Sequence, residues 1–155
     1  MNKYYSEILY GGVDGLITTF AIIAGSTGGD LSNKIVLMLG LSSIVADAFS
    51  MGSSSYLAER VRIDGKKAFK VAMITFFSFL LIGLFPLLPY ILKLNEPFKL
   101  SSYAMIVLLF ILGYAKDYSI YSGIETLLIG GFAAVIAFYV ARMVAKYEEE
   151  DDDQF

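Results

Sequence analysis

Two carboxylates in this chain stand where carboxylates are costly. Asp14 lies inside the first long apolar stretch, toward its N-terminal third, and Asp47 lies near the middle of the second. A charge at mid-helix in a bilayer costs about 2.5–3.5 kcal/mol on insertion scales, so such residues face a bundle interior or a wet path. A role in function is the default reading. The structural alternative is a protonated Asp hydrogen-bonded to a neighbouring helix. Around Asp47, the polar or polarizable positions are Ser43, Ser50, Met51, Ser54, Ser55 and Glu59. Spacings of three and four put them on one face of a helix. Leu41, Ile44, Val45, Phe49 and Leu57 form the other side. The first stretch offers a matching surface of Asp14, Thr18, Ala21 and Gly25, with Gly11 and Gly15 as a G-x-x-x-G. Glycine there lets another helix come close, as a dimer seam, a pore lining or both. Small-residue packing explains serines and glycines. It does not explain a carboxylate beside a thioether.

Carboxylates, hydroxyls and carbonyls suit hard or intermediate divalent cations, while a Met thioether is a weak, soft ligand that suits later metals. The chain has no Cys and no His. Cys-type zinc sites, disulfide scaffolds and His chemistry are therefore excluded. Asp and Met without Cys or His fit a transient site, because a transport site must release what it binds. Met51 alone reads equally well as packing material. No catalytic constellation is present. Ser53-Ser54-Ser55 has no Lys or His to activate it, and an aspartyl protease built on Asp14 and Asp47 has no supporting motif. The chain is not expected to be an enzyme. Nothing suggests nucleic-acid binding.

The elements that hold these residues follow from composition. Of 155 residues, 57% are hydrophobic and 17% charged, with a mean hydropathy of +0.65. A core of this size could not hide that much apolar surface from water. Crossing a hydrocarbon layer of about 30 Å takes roughly 20 apolar residues. Five stretches qualify: Ile8 to Thr27, Ile35 to Ala58, Val71 to Leu92, Ser101 to Tyr118, and Gly123 to Ala145. The fold class is all-α, a polytopic membrane protein. The first stretch lacks a cleavage pattern and is expected to stay. Pro86 and Pro89 are tolerable near the end of the third. Basic residues from Arg60 to Lys70 place the loop after the second helix in the cytoplasm. The N-terminus is then cytoplasmic and the C-terminus outside. Gly25, Gly28 and Gly29 mark the first turn, and Asn95 and Pro97 the third. Ser122-Gly-Ile-Glu125 reads as a capping box opening the fifth helix. Residues 1–147 form one domain, and 148–155 are an acidic tail expected to be solvated and disordered.

The segment Val13-Asp14-Gly15-Leu16-Ile17-Thr18-Thr19-Phe20-Ala21-Ile22-Ile23-Ala24-Gly25 closely resembles the first helix of the vacuolar iron transporter family, whose pattern there is D-G-L-x-x-x-F-A-x-x-A-G. The run Ala48-Phe49-Ser50-Met51-Gly52-Ser53-Ser54-Ser55-Tyr56-Leu57 is similar to the family's A-x-S-M-A-x-x-E-Y-L, and the segment from Glu125 is similar to its fifth helix. The resemblance implies five helices per protomer, a homodimer, and a path lined by the first two helices of each protomer. It implies export of Fe²⁺ or Mn²⁺ from the cytoplasm in exchange for protons, with no permanently bound cofactor. It implies a short, prokaryotic-type member in the cell membrane. Asp14 and Met51 match the family's pore Asp and Met. Two departures stand out. Ser55 replaces the family's Glu before Tyr, while Asp47 adds an acid two turns earlier on the same helix. The acidic metal-binding insertion after the second helix is replaced by a basic loop of about a dozen residues, with Glu59 as a possible cytoplasmic entry.

The expected order is Asp14 receiving the ion near the cytoplasmic mouth, then Asp47 and Met51 holding it deeper, helped by Ser50 and Ser54. Metal displaces protons from the carboxylates, and a proton entering from outside displaces the metal. Two other classes stay open: a non-transporting membrane protein with structural buried acids, and a transporter for another cation.

Overall fold

The computed structural model describes residues 3–152, with side chains from Tyr4 to Glu148. It is all-helical: α1 (Lys3–Gly28), α2 (Asn33–Arg60), α3 (Gly65–Gly83), a 3₁₀ turn (Phe85–Leu87), α4 (Leu88–Ile91), α5 (Pro97–Asp117) and α6 (Ile120–Asp152). Five segments are long and apolar enough to cross a membrane, with α3, the turn and α4 acting as one, Gly65–Ile91. Pro86 lacks an N–H donor and sits in the turn, so α3 stops at Gly83 and the span bends through the turn into α4.

The central element is α1. Half of its apolar window is buried, against 11% for α6. It packs on all the other spans, most extensively on α3 and α6. Leu16 and Ile23 of α1 are fully buried with Leu87 and Leu109 in the larger apolar cluster. A smaller cluster, Ile44, Ala48 and Phe79, joins α2 to α3, with Met51 packed against it. Ile44 therefore faces the interior, whereas Val45, Phe49 and Leu57 beside it are exposed as expected.

Gly11 and Gly15 form a seam within the chain. A Cβ on Gly15 would lie 2.5 Å from the Phe79 carbonyl oxygen, and one on Gly83 would lie 2.8 Å from the Gly15 oxygen. The G-x-x-x-G thus lets α1 and α3 touch backbone to backbone, and is taken up there rather than in a dimer seam or pore lining. Gly25 abuts α6 at Ala137, the Cβ position lying 3.4 Å from its oxygen.

Several local expectations change. No described glycine has positive φ; the left-handed turn residues are Asp30, Lys93, Glu96 and Tyr118. The glycines of the first connection serve α1 and its packing, while Asp30, whose residue type tolerates that region, makes the turn. The loop after α2 is residues 61–64 alone, because Lys66 and Lys67 already lie in α3. Asp64 caps α3, its carboxylate accepting from the Lys66 amide at 3.1 Å. Ser122 does not cap α6 as proposed, since the helix starts at Ile120. Asp117 instead ties the α5–α6 turn to the start of α6, accepting from the Ser119 amide at 3.1 Å and the Ser122 hydroxyl at 2.6 Å. The acidic run continues α6 to Asp152, so the helix passes the boundary drawn at 147; residues 153–155 lie outside the described residues.

Candidate functional site

Neighbouring antiparallel helices set the depth of the two buried acids. At about 1.5 Å per residue, Asp14 lies about 17 Å from the start of α1 and Asp47 about 20 Å from the end of α2. Both distances run from the same end of the bundle, the one carrying the loop after α2. Both carboxylates are half-buried. By this count the two acids lie within about 3 Å of one depth, Asp47 slightly farther from that end, while Met51, one turn nearer the end of α2, is shallower than Asp47. Ser43 donates to Asp47 Oδ2 at 2.8 Å. Thr18 donates to the Asp14 backbone oxygen at 2.8 Å, so its proton is held within its own helix.

Below this level, toward the loop after α2, lies a cavity of about 270 Å³ lined by Glu7, Tyr10, Met51, Ser54, Ser55, Ala58 and Glu59. It joins four residues of the polar α2 stripe to an acid of α1. The Thr75 hydroxyl of α3 donates to Glu7 Oε2 at 2.7 Å and lies 3.3 Å from Ser55 Oγ. Ser55 thereby belongs to a polar contact joining three helices. Met51 touches the apolar cluster on one side and this cavity on the other. It stands one turn from Asp47, between the carboxylate level and the cavity. Ser50 is exposed and does not line the cavity.

Asp14 borders a second cavity, of about 390 Å³, between α1, α5 and α6, with Ser6, Tyr10, Lys116 and Thr126 in its wall. Tyr10 lines both cavities and separates them. Among the described residues, no group of three or more Asp, Glu, His or Cys side chains is gathered to hold a metal. The available donors are a carboxylate pair at one level and a Glu–Met–Ser–Glu cavity below it.

Glu7 is the residue that sequence reasoning passed over. It sits near a helix start, where an acid is ordinarily read as end charge. Its spacing carried the signal, since seven residues is two turns and places Glu7 on the same stripe as Asp14 and Thr18.

The VIT family model matches residues 5–68 and 60–142. A protein named vacuolar iron transporter from Toxoplasma gondii (strain ATCC 50861 / VEG) is 45% identical over 69 residues, 44% of this chain but only 23% of that protein. One of the same name from Centaurea cyanus is 24% identical over 210 residues, covering 88% of this chain and 86% of that protein. Vacuolar iron transporter 1 of Arabidopsis thaliana is 26% identical over 212 residues, covering 89% and 85%. The two plant alignments are longer than this 155-residue chain, so those proteins carry residues within the aligned region that have no counterpart here. The family match divides at 60–68, where α2 ends and α3 begins.

Proposed function

This chain belongs to the VIT family, and on that premise we propose that it moves Fe²⁺ or Mn²⁺ out of the cytoplasm in exchange for protons. The single observation that carries the reading is the Asp14–Asp47 pair. Two half-buried carboxylates stand at nearly one depth on adjacent membrane-spanning helices, far from either helix end. Two such charges inside a membrane are costly unless protons or a cation neutralise them. A divalent ion and protons then compete for one place, which is the requirement for exchange.

Entry is from the end with the loop after α2, taken as cytoplasmic from its basic residues. Glu7 and Glu59 admit the ion to the cavity, with Ser54 and Ser55 as oxygen donors. Met51 passes it to the pair and favours a borderline metal over Mg²⁺ or Ca²⁺. Asp14 and Asp47 hold it with Ser43 orienting Asp47. Protonation from the far side releases it. With only two acids at the pair, the ion is not caged, and release stays possible. Tyr10 is 62% exposed beside both cavities. A second copy packed on this face completes the wall of the path, which makes the working unit a homodimer. Division of the family match at 60–68 supports the view that the cytoplasmic insertion is missing here, so loading rests on Glu7 and Glu59.

The test is uptake of Fe²⁺ and Mn²⁺ into proteoliposomes under an imposed pH gradient. Wild type is expected to accumulate metal only with the gradient, and Asp14→Asn to lose at least about tenfold of that rate, the cost of about 1.4 kcal/mol. Equal uptake by folded Asp14→Asn would sink the assignment.

A further inference from the structure

We propose that the outer groove between α2 and α3 is a binding site for an anionic phospholipid. The groove has a volume of about 650 Å³ and is lined by Phe49, Ser53, Tyr56, Leu57 of α2 and Phe69, Met73 of α3, among others. That volume is within the roughly 300–1,000 Å³ of small-molecule sites. Phe49, Leu57 and Phe69 are 69%, 67% and 60% exposed. The groove lies on the flank of α2 turned away from Asp47, Met51 and Ser54, so it is separate from the proposed metal path.

Its end toward the loop after α2 is polar and positively charged. Arg60 lies one turn beyond Tyr56 and shares its flank. The guanidinium sits 5.8 Å from the Tyr56 ring centroid, and Nη1 donates to the Tyr56 hydroxyl at 2.7 Å. It also reaches the start of α3, where a Cβ on Gly65 would lie 2.8 Å from Arg60 Nη1. The arginine head thus lies against a residue of the groove wall and within reach of the start of α3. Lys66, one turn before Phe69 on α3, belongs to the same end of the groove. From Phe49 to Arg60, α2 rises about 17 Å, which matches one leaflet's half of a hydrocarbon layer of about 30 Å. An acyl chain along the groove thus ends with its phosphate at Arg60 and Lys66. Orientation in the membrane explains why basic residues gather in this loop. It does not explain a guanidinium held against the wall of an open apolar groove. Charge complementarity selects an anionic head group over a zwitterionic one.

Native mass spectrometry of the full chain, released from detergent with equal phosphatidylglycerol and phosphatidylcholine, tests this. Wild type is expected to retain phosphatidylglycerol preferentially, and each of Arg60→Gln and Lys66→Gln to lower that preference about fivefold. Filling the groove with Ser53→Phe is expected to lose both lipids. Glycerol phosphate in excess is expected not to displace the bound lipid, because the chain contributes to binding. Equal retention of the two lipids, or displacement by glycerol phosphate, overturns the proposal. The chain has no cysteine, so Ser53→Cys gives a single thiol at the groove. Efficient disulfide dimerisation through it would mean that a second copy covers the groove and would also overturn the proposal.

Discussion

Glu7, Asp14 and Thr18 follow one stripe of α1, and the residue nearest the basic end of the bundle is the one whose meaning depended on its neighbours. As a letter near a helix start, Glu7 looks like end charge. In the fold it lines the same cavity as Met51, Ser55 and Glu59 and accepts from Thr75. Asp14, Asp47 and Met51 were legible because each is out of place in an apolar run or matches a motif. Glu7 was not, because its partners come from α2 and α3. If Glu7 loads the ion, Glu7→Gln keeps the Thr75 contact but loses the charge. Metal titration of initial uptake rates should then show KM raised about tenfold, a loss of about 1.4 kcal/mol, with the maximal rate little changed. Asp14 and Asp47 should behave as one unit. Uptake by the double Asn variant is expected to be no lower than that of the worse single variant, since residues acting together are not additive. A double variant showing the product of the two single losses would mean that the acids act at separate steps.

At the scale of helices, the five spans could be read from apolar length, but their neighbours could not. The G-x-x-x-G of α1 announces a close approach without saying to what. The structure gives it to α3, through Gly15 against Phe79 and Gly83 against Gly15. Gly15→Val forces that backbone contact apart, so it is expected to destabilise by about 1–3 kcal/mol, the range for overpacking. Thermal unfolding in detergent checks this. Gly131, with open space at its Cβ position, is the control, and Gly131→Ala should leave the melting temperature unchanged or raised. The start of α6 was misread for a related reason. The S-x-x-E pattern is local, whereas the observed contacts of Ser122 and Ser119 run backwards to Asp117 at the end of α5. Asp117→Ala is expected to cost about 0.5–1.5 kcal/mol, the net worth of a hydrogen bond, measured by the same unfolding transition. An unchanged transition would show that the α5–α6 turn is held by packing alone.

The molecule as a whole is a bundle turned around α1, with its apolar side chains both inside and out. That is why amphipathic reading located the spans but not the packing order. Helices apolar on every side carry little directional signal. The polar stripe of α2 was the exception: Met51, Ser54, Ser55 and Glu59 share one cavity, although the fully buried face of that helix is Val36, Gly40, Ile44, Ala48 and Gly52. With the wall beside Tyr10 open, the proposed path is complete only in a dimer, and activity should follow the dimer fraction recovered on reconstitution. Compared with its plant relatives the chain is short within the aligned region, so under the proposed function loading rests on residues of the bundle itself. Under the proposed function, one pair of carboxylates exchanges a metal ion for protons. The direct measurement is simultaneous recording of metal entry and lumenal pH in acid-loaded proteoliposomes. Fe²⁺ or Mn²⁺ entry is expected to be accompanied by proton exit in a fixed ratio, and Asp14→Asn and Asp47→Asn are each expected to lower both fluxes together by at least about tenfold. Metal entry with no proton movement, or proton exit persisting unchanged in either variant, would contradict it.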